Sequence, residues 1–149
     1  MLYPVNGARI YIADAPADGW GEALPVSGWE EIGEAEALGM VGIEWEVSEA
    51  EVADCDTGTA QIQTAKFAQR PSPMQIVLGN DPEDAGQVIL WRAAASTAHY
   101  PFQLITPDGS VRAWWALVTS LLEVFDTANS VLKLQADLLP TGPISRERF

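Results

Sequence analysis

One run of the sequence, YPFQLITPDGSVRAWWALVTSLLEVFDTANSVLKLQADLL over Tyr100–Leu139, limits the fold more than any other. It reads as three consecutive antiparallel strands. Thr106-Pro107-Asp108-Gly109-Ser110 is the first turn: Pro107 fixes φ at its first position, Asp108 tolerates its second, and Gly109 can take the left-handed conformation of a bulged hairpin. Phe102, Leu104 and Ile105 precede it, and Val111, Trp114, Trp115, Leu117 and Val118 follow. Asp126–Asn129 turns the chain again. In the last strand Leu132, Leu134, Ala136 and Leu138 share one face and Lys133, Gln135 and Asp137 the other. Trp114 and Trp115 are adjacent, so a strand sends them to opposite faces and a single core cannot take both.

The same block resembles the C-terminal part of the tail tube domain of lambda-like long-tailed phages. The resemblance rests on the Pro107-Asp108-Gly109 turn, the aromatic-rich stretch Arg112–Ser120, the alternating stretch Ser130–Leu139 and the Gly142-Pro143 exit. Upstream, a strand followed by a helix opened by Asp-Pro-Glu-Asp, over Met74–Ala95, occupies the place of that family's strand and single helix. The match is one of pattern and element order and contains no catalytic signature.

Taken in order, Ala8–Ala13 is a first strand, with Ile10 and Ile12 against Arg9 and Tyr11. Asp14–Gly28 is an irregular loop that Trp20 pins to the body. For Trp29–Met40 a helix over Glu30–Leu38 competes with a strand, and the resemblance favours the strand. Ile43–Val47 alternates cleanly, which predicts Ile43, Trp45 and Val47 in the core and Glu44 and Glu46 outside, with a bulge or strand end near Ser48–Ala50. Residues 53–70 are small and polar, with apolar bulk only at Ile62 and Phe67, and read as a mobile loop. Met74–Leu78 is a buried strand. Asn80 or Asp81 caps the helix, Pro82 opens it, and Val88, Ile89, Leu90 and Trp91 give it a broad apolar surface. Residues 140–149 form an exposed tail bearing Arg146 and Arg148.

The chain of 149 residues suits one domain, and its 48% hydrophobic content argues against disorder. No apolar run spans a membrane, and the first residues lack the basic and apolar regions of a signal peptide. A single cysteine excludes an internal disulfide framework and suits a reducing cytoplasm. The net charge of −13 argues against a direct grip on nucleic acid. An acidic surface also serves solubility, but here it is concentrated: between Arg9 and Lys66 lie thirteen Asp and Glu and no Lys or Arg.

No catalytic, cofactor or metal constellation emerges. His99 is the only histidine, Cys55 sits between two aspartates that work against a thiolate, and Asp54–Gly58 lacks the later Glu of a calcium loop. Alternating Glu44 and Glu46 are most simply a solvated strand face.

The expected fold is therefore mainly β, an antiparallel β-sandwich or half-barrel with one flanking α-helix, which the resemblance implies is tail-tube-like. Two kinds of function fit it. A small β-barrel binding module would place Trp114 or Trp115 in a ligand pocket. The resemblance instead implies a structural subunit of a phage tail, or of a phage-like particle such as a gene transfer agent, assembled in the host cytoplasm. Such subunits self-associate, commonly as hexameric rings stacked into a tube, and meet the tape measure and other tail proteins. DNA passes through without specific binding. On that basis Glu44, Glu46, Lys133, Gln135 and Asp137 are expected to line the lumen, and Asp54, Ile62, Lys66, Phe67, Trp114 and Trp115 to serve assembly. A tail-end or joining protein of the same fold is the alternative within that class.

Overall fold

The computed structural model describes residues 7–19, 23–53, 58, 60–125 and 132–148. Among these residues, ten strands and one helix follow in the order β1 (Arg9–Ala13), β2 (Trp29–Glu31), β3 (Ala35–Ala37), β4 (Ile43–Ala53), β5 (Ala60–Pro71), β6 (Met74–Gly79), α1 (Ala85–Ala94), β7 (Tyr100–Ile105), β8 (Ser110–Val124), β9 (Lys133–Pro140) and β10 (Ser145–Arg148). Eight strands form one antiparallel sheet in the order β2-β1-β7-β8-β9-β6-β3, with β10 on β8; β4 and β5 form a separate two-stranded ribbon.

The 15-residue β8 organises the sheet. Its N-terminal half pairs with β7 over Val111–Ala116 and with β10 over Ser110–Ala113. Its C-terminal half pairs with β9 over Ala116–Val124, with a register shift between Val118 and Ser120. The turn into β8 forms as its residues dictate: Gly109 has φ +87°, its N–H donates to Thr106 O at 2.9 Å, and Thr106 N donates to Ser110 O at 3.0 Å.

Ile10 and Ile12 of β1, on one flank, and Leu78 and Leu134, on the other, belong to one buried cluster. β2 and β3 are the two ends of the sheet order, yet only residues 32–34 separate them, so the sheet must curl round the core until its ends come close. Trp114 stacks on Phe102 within it, ring centres 6.3 Å apart. Ile89, Leu90 and Ala93 of α1 close the open side.

The helix begins later than its sequence suggests. Asp84, not Asn80 or Asp81, is the N-cap; its Oδ2 accepts from Gln87 N at 3.0 Å and from Gly33 N at 3.1 Å. Gln87, 1% exposed, donates to Gly33 O and Gly79 O and accepts from Asp81 N. A buried polar network thus ties the helix start to two loops, which the local Pro82 signal does not reveal.

Several other expectations give way to the structure. Residues 60–71 form a strand, because β4 supplies a partner along their whole length. The bulge falls between Glu46 and Val47, opposite an extra residue, Phe67, in β5, and β4 continues to Ala53. The supposed tail pairs Ser145–Arg148 with β8, since β9 ends at Pro140 and leaves that edge open. Trp29–Met40 is not a helix, and the strand that the resemblance favours is broken in two at Glu34: Trp29–Glu31 pairs with β1 and Ala35–Ala37 with β6. Trp20, Asp54, Cys55 and the turn at Asp126–Asn129 lie outside the described residues.

Candidate assembly surface

The ribbon is where sequence and structure disagree most usefully. Its eleven register pairs run from Ile43↔Pro71 to Ala53↔Ala60, and among the described residues its strands pair only with each other. Period two holds, but the apolar face meets no core. Ile43, Trp45 and Val47 are 56%, 42% and 56% exposed, and Ile62, opposite Glu51 on the same face, is 71% exposed. Alternation fixed which residues share a face; whether a body lies beneath that face is a tertiary matter. Lys66, paired with Val47, holds its ammonium 5.2 Å from the centre of the Trp45 ring. Phe67, at the bulge, is 61% exposed.

Glu44 and Glu46 occupy the opposite ribbon face and share it with Ser48 and Ala50. The other expected lumen residues sit elsewhere. Lys133, Gln135 and Asp137 project from β9 on the side away from the core, since Leu134, Ala136 and Leu138 point inward. Asp137 there accepts from Gln75 Nε2 at 3.1 Å and from Ser120 Oγ at 2.9 Å, a cross-strand row over β6, β9 and β8. Lys133 pairs with Glu36 at 3.0 Å. The five expected wall residues thus fall on two separate sheets of one subunit.

Trp114 and Trp115 take opposite faces, as adjacent strand residues must, yet they are 0% and 5% exposed. Neither ring offers surface to a second subunit. Trp114 belongs to the main core, while Trp115 shares its face with Val111 and Ala113, over which the segment containing Leu24, Pro25 and Trp29 forms a groove of about 320 Å³. Among the apolar side chains that do face outward from the body are Val88 and Trp91 of α1, 44% and 40% exposed, and Leu122 and Phe125 at the end of β8.

Free strand edges complete the picture. Among the described residues both outer edges of the ribbon lack partners, as does the edge of Leu117–Val124 that faces away from β9. Long unpaired edges are templates for further strands. Among the described residues no acid–base pair stands out: His99 Nδ1 lies 2.8 Å from Thr141 Oγ1, and the His99 backbone bridges to Ala17. Among the described residues no group of three or more metal-binding side chains occurs, and no helix is long and apolar enough to cross a membrane. Burial raises the Tyr100 hydroxyl above its ordinary pKa of 10.0; Asp14 adds to that rise, and Arg92, which hydrogen-bonds Asp14, opposes it.

No protein-family model matches the sequence, and no curated protein matches it significantly. Solved structures do. A chain of the virion of a native gene transfer agent particle superposes with a TM-score of 0.67 at 13% identity, covering 98% of this chain and 99% of that one. A chain from the sheath/tube terminator of an extracellular contractile injection system, in its extended state, gives 0.64 at 12% identity, with 99% and 97% covered. The SPP1 tail tube gives 0.57 at 15%, with 98% and 80% covered. The fold is tail-tube-like over essentially the whole chain.

Proposed function

We propose that this chain is a self-associating structural subunit of a phage-type tail, stacking as rings into a tube that conducts DNA. The observation that carries this is the β4–β5 ribbon. A two-stranded ribbon standing alone in water is marginal, and this one presents Ile43, Trp45, Val47 and Ile62 to solvent. A neighbouring copy would cover that face. The free edge of Leu117–Val124 gives a second place where a copy can add, so that sheets join round the ring and edges are removed by closure. Because these surfaces differ from each other, the contact is head-to-tail, the kind that closes into rings or extends into tubes.

The likeness to chains of a gene transfer agent particle and of the SPP1 tail tube supports the tube role. Lys133, Gln135 and Asp137 are the proposed wall on the outer face of β9. Glu44 and Glu46 join it where ribbons of adjacent copies extend the sheet. The tape measure and other tail proteins are the proposed partners, and the assembled tail of a phage or phage-like particle the location.

A second role is favoured by one observation: a terminator assembly contains a chain matched almost as well, at 0.64 against 0.67. Negative-stain microscopy and sedimentation of the purified protein at rising concentration separate the cases. Open-ended tubes indicate a tube subunit, and rings that never stack indicate a terminator. Replacing residues 44–70 by a short Gly-Ser link should leave a folded monomer that forms neither. A wild-type chain that stays monomeric at every concentration overturns the proposal and returns the binding module.

A further inference from the structure

Basic residues are scarce in this chain, eight against twenty-one acidic ones, and nearly every described basic side chain is engaged. Arg9 pairs with Glu31, Arg92 with Asp14 and Lys133 with Glu36, while Lys66 covers Trp45. Arg146 is the exception: it is exposed and makes no ion pair or side-chain hydrogen bond among the described residues. Its cross-strand partner in the β10–β8 register is another arginine, Arg112, whose guanidinium donates to the hydroxyl of Thr106. Two like charges set directly opposite on adjacent strands repel, and β10 is an edge strand with every reason to avoid that arrangement. Asp108 accepts from the same Thr106, so among the described residues a carboxylate offsets part of the field at Arg112 and no contact does so at Arg146.

The complementary surface is on the ribbon. Glu49 and Glu51 lie two residues apart on one face of β4, exposed, with Thr64 and Ile62 as their neutral register partners. Among the described residues neither makes an ion pair. Residues i and i+2 on a strand stand about 6.6 Å apart, and directly opposed residues on paired strands about 5 Å, a mismatch that arginine side chains span easily. Glu44 and Glu46 are poorer candidates, because they sit near the ribbon's root and Glu46 is already engaged.

We infer that Arg112 and Arg146 form a cationic socket for Glu49 and Glu51 on the ribbon of a neighbouring copy. The pairing rests on the ring-forming role proposed above and names the surface that receives the ribbon. It gives the head-to-tail contact a register, with the apolar strip supplying affinity and the charge pairs fixing position. Nucleic acid is the competing occupant of an arginine pair, and the net charge of −13 disfavours it wherever the surrounding acids lie within a Debye length of the strand, about 8–10 Å at ordinary salt.

The test is charge exchange in the full-length chain. Arg112→Glu with Arg146→Glu reverses the socket and keeps like charges opposite each other on β8 and β10, so the melting temperature, which checks the fold, should stay near that of wild type; Glu49→Lys with Glu51→Lys reverses the ribbon. Each set should raise the critical concentration for assembly about tenfold at low salt, and less at high salt, where the pair is screened. Carrying both sets on one chain should restore assembly to within about threefold of wild type. Arg112→Gln, which can still bond Thr106, should give a smaller rise than the reversed socket. Assembly of the reversed socket at the wild-type concentration overturns the pairing, as does a loss that the combined chain fails to recover. If the reversed socket assembles normally but loses affinity for a short DNA duplex, the socket belongs to nucleic acid and the pairing is wrong. A wild-type chain that never assembles overturns the ring role and the pairing together, whereas the other outcomes leave the ring role standing.

Discussion

The ammonium of Lys66 sits 5.2 Å from the centre of the Trp45 ring, on a ribbon that touches no core. The contact shelters a ring that is still 42% exposed and contributes roughly 0.5–1 kcal/mol at such a site. A tryptophan kept half in water by its own chain is poised for a partner. Trp45→Ala should therefore change monomer stability by less than about 1 kcal/mol in urea denaturation. The same variant should need a several-fold higher concentration to assemble, measured by sedimentation. A large loss of monomer stability would show that the ribbon packs on its own body in solution.

Trp114→Ala should behave oppositely. The ring is fully buried against Phe102, and its removal should cost about 3–5 kcal/mol. Trp115→Ala should also destabilise the monomer, because that ring is buried on the reverse face of β8. Denaturation midpoints of the two variants check both; a Trp115→Ala chain as stable as wild type would mean its cover is not formed in solution.

Gly86 decides how closely α1 approaches β2. A Cβ there would lie 2.2 Å from Glu31 O, a backbone atom that cannot rotate away. Alanine favours a helix over glycine by about 1 kcal/mol, yet the clash should win, with Gly86→Ala losing about 1–3 kcal/mol net. A stabilised variant, read by thermal unfolding, would show that the helix start can shift freely.

The proposed wall is tested by its charge. Gln135→Lys places a cation beside Asp137 on the outer face of β9 without touching the core. Tubes of this variant should form normally and retain duplex DNA in a salt-dependent manner. Glu44→Lys with Glu46→Lys tests the ribbon's share of the same wall. Tubes of both variants that release DNA as wild type does would put these residues on the outside.

Tyr100 gives the pH dependence a sign. Its hydroxyl ionises less readily folded than unfolded, so the associated stability is whole below pH 10.0 and declines as pH rises through and above that value. Stability measured between pH 9 and 11 should fall less steeply in Tyr100→Phe, within about one pH unit of the ordinary tyrosine value. Identical slopes would remove Tyr100 from the account.

What the sequence determined by itself is what short-range chemistry controls. The Pro107-Asp108-Gly109 turn forms because φ preferences and one left-handed glycine act within five residues. The inward faces of β1, β6 and β9 follow from alternation at Ile10 and Ile12, at Met74, Ile76 and Leu78, and at Leu134, Ala136 and Leu138. Element order with that turn was enough to suggest the tail-tube-like fold. Everything needing a distant partner was left to the tertiary structure. Residues 60–71 look unfoldable alone because their strand exists only against β4, and Ser145–Arg148 because its ladder is on β8. The N-cap fell to Asp84 because Gly33, fifty-one residues away, shares its carboxylate. Ile43, Trp45 and Val47 alternate as faithfully as any core strand, and alternation says only that one face is apolar. What covers that face depends on where the chain, or another copy of it, comes to rest.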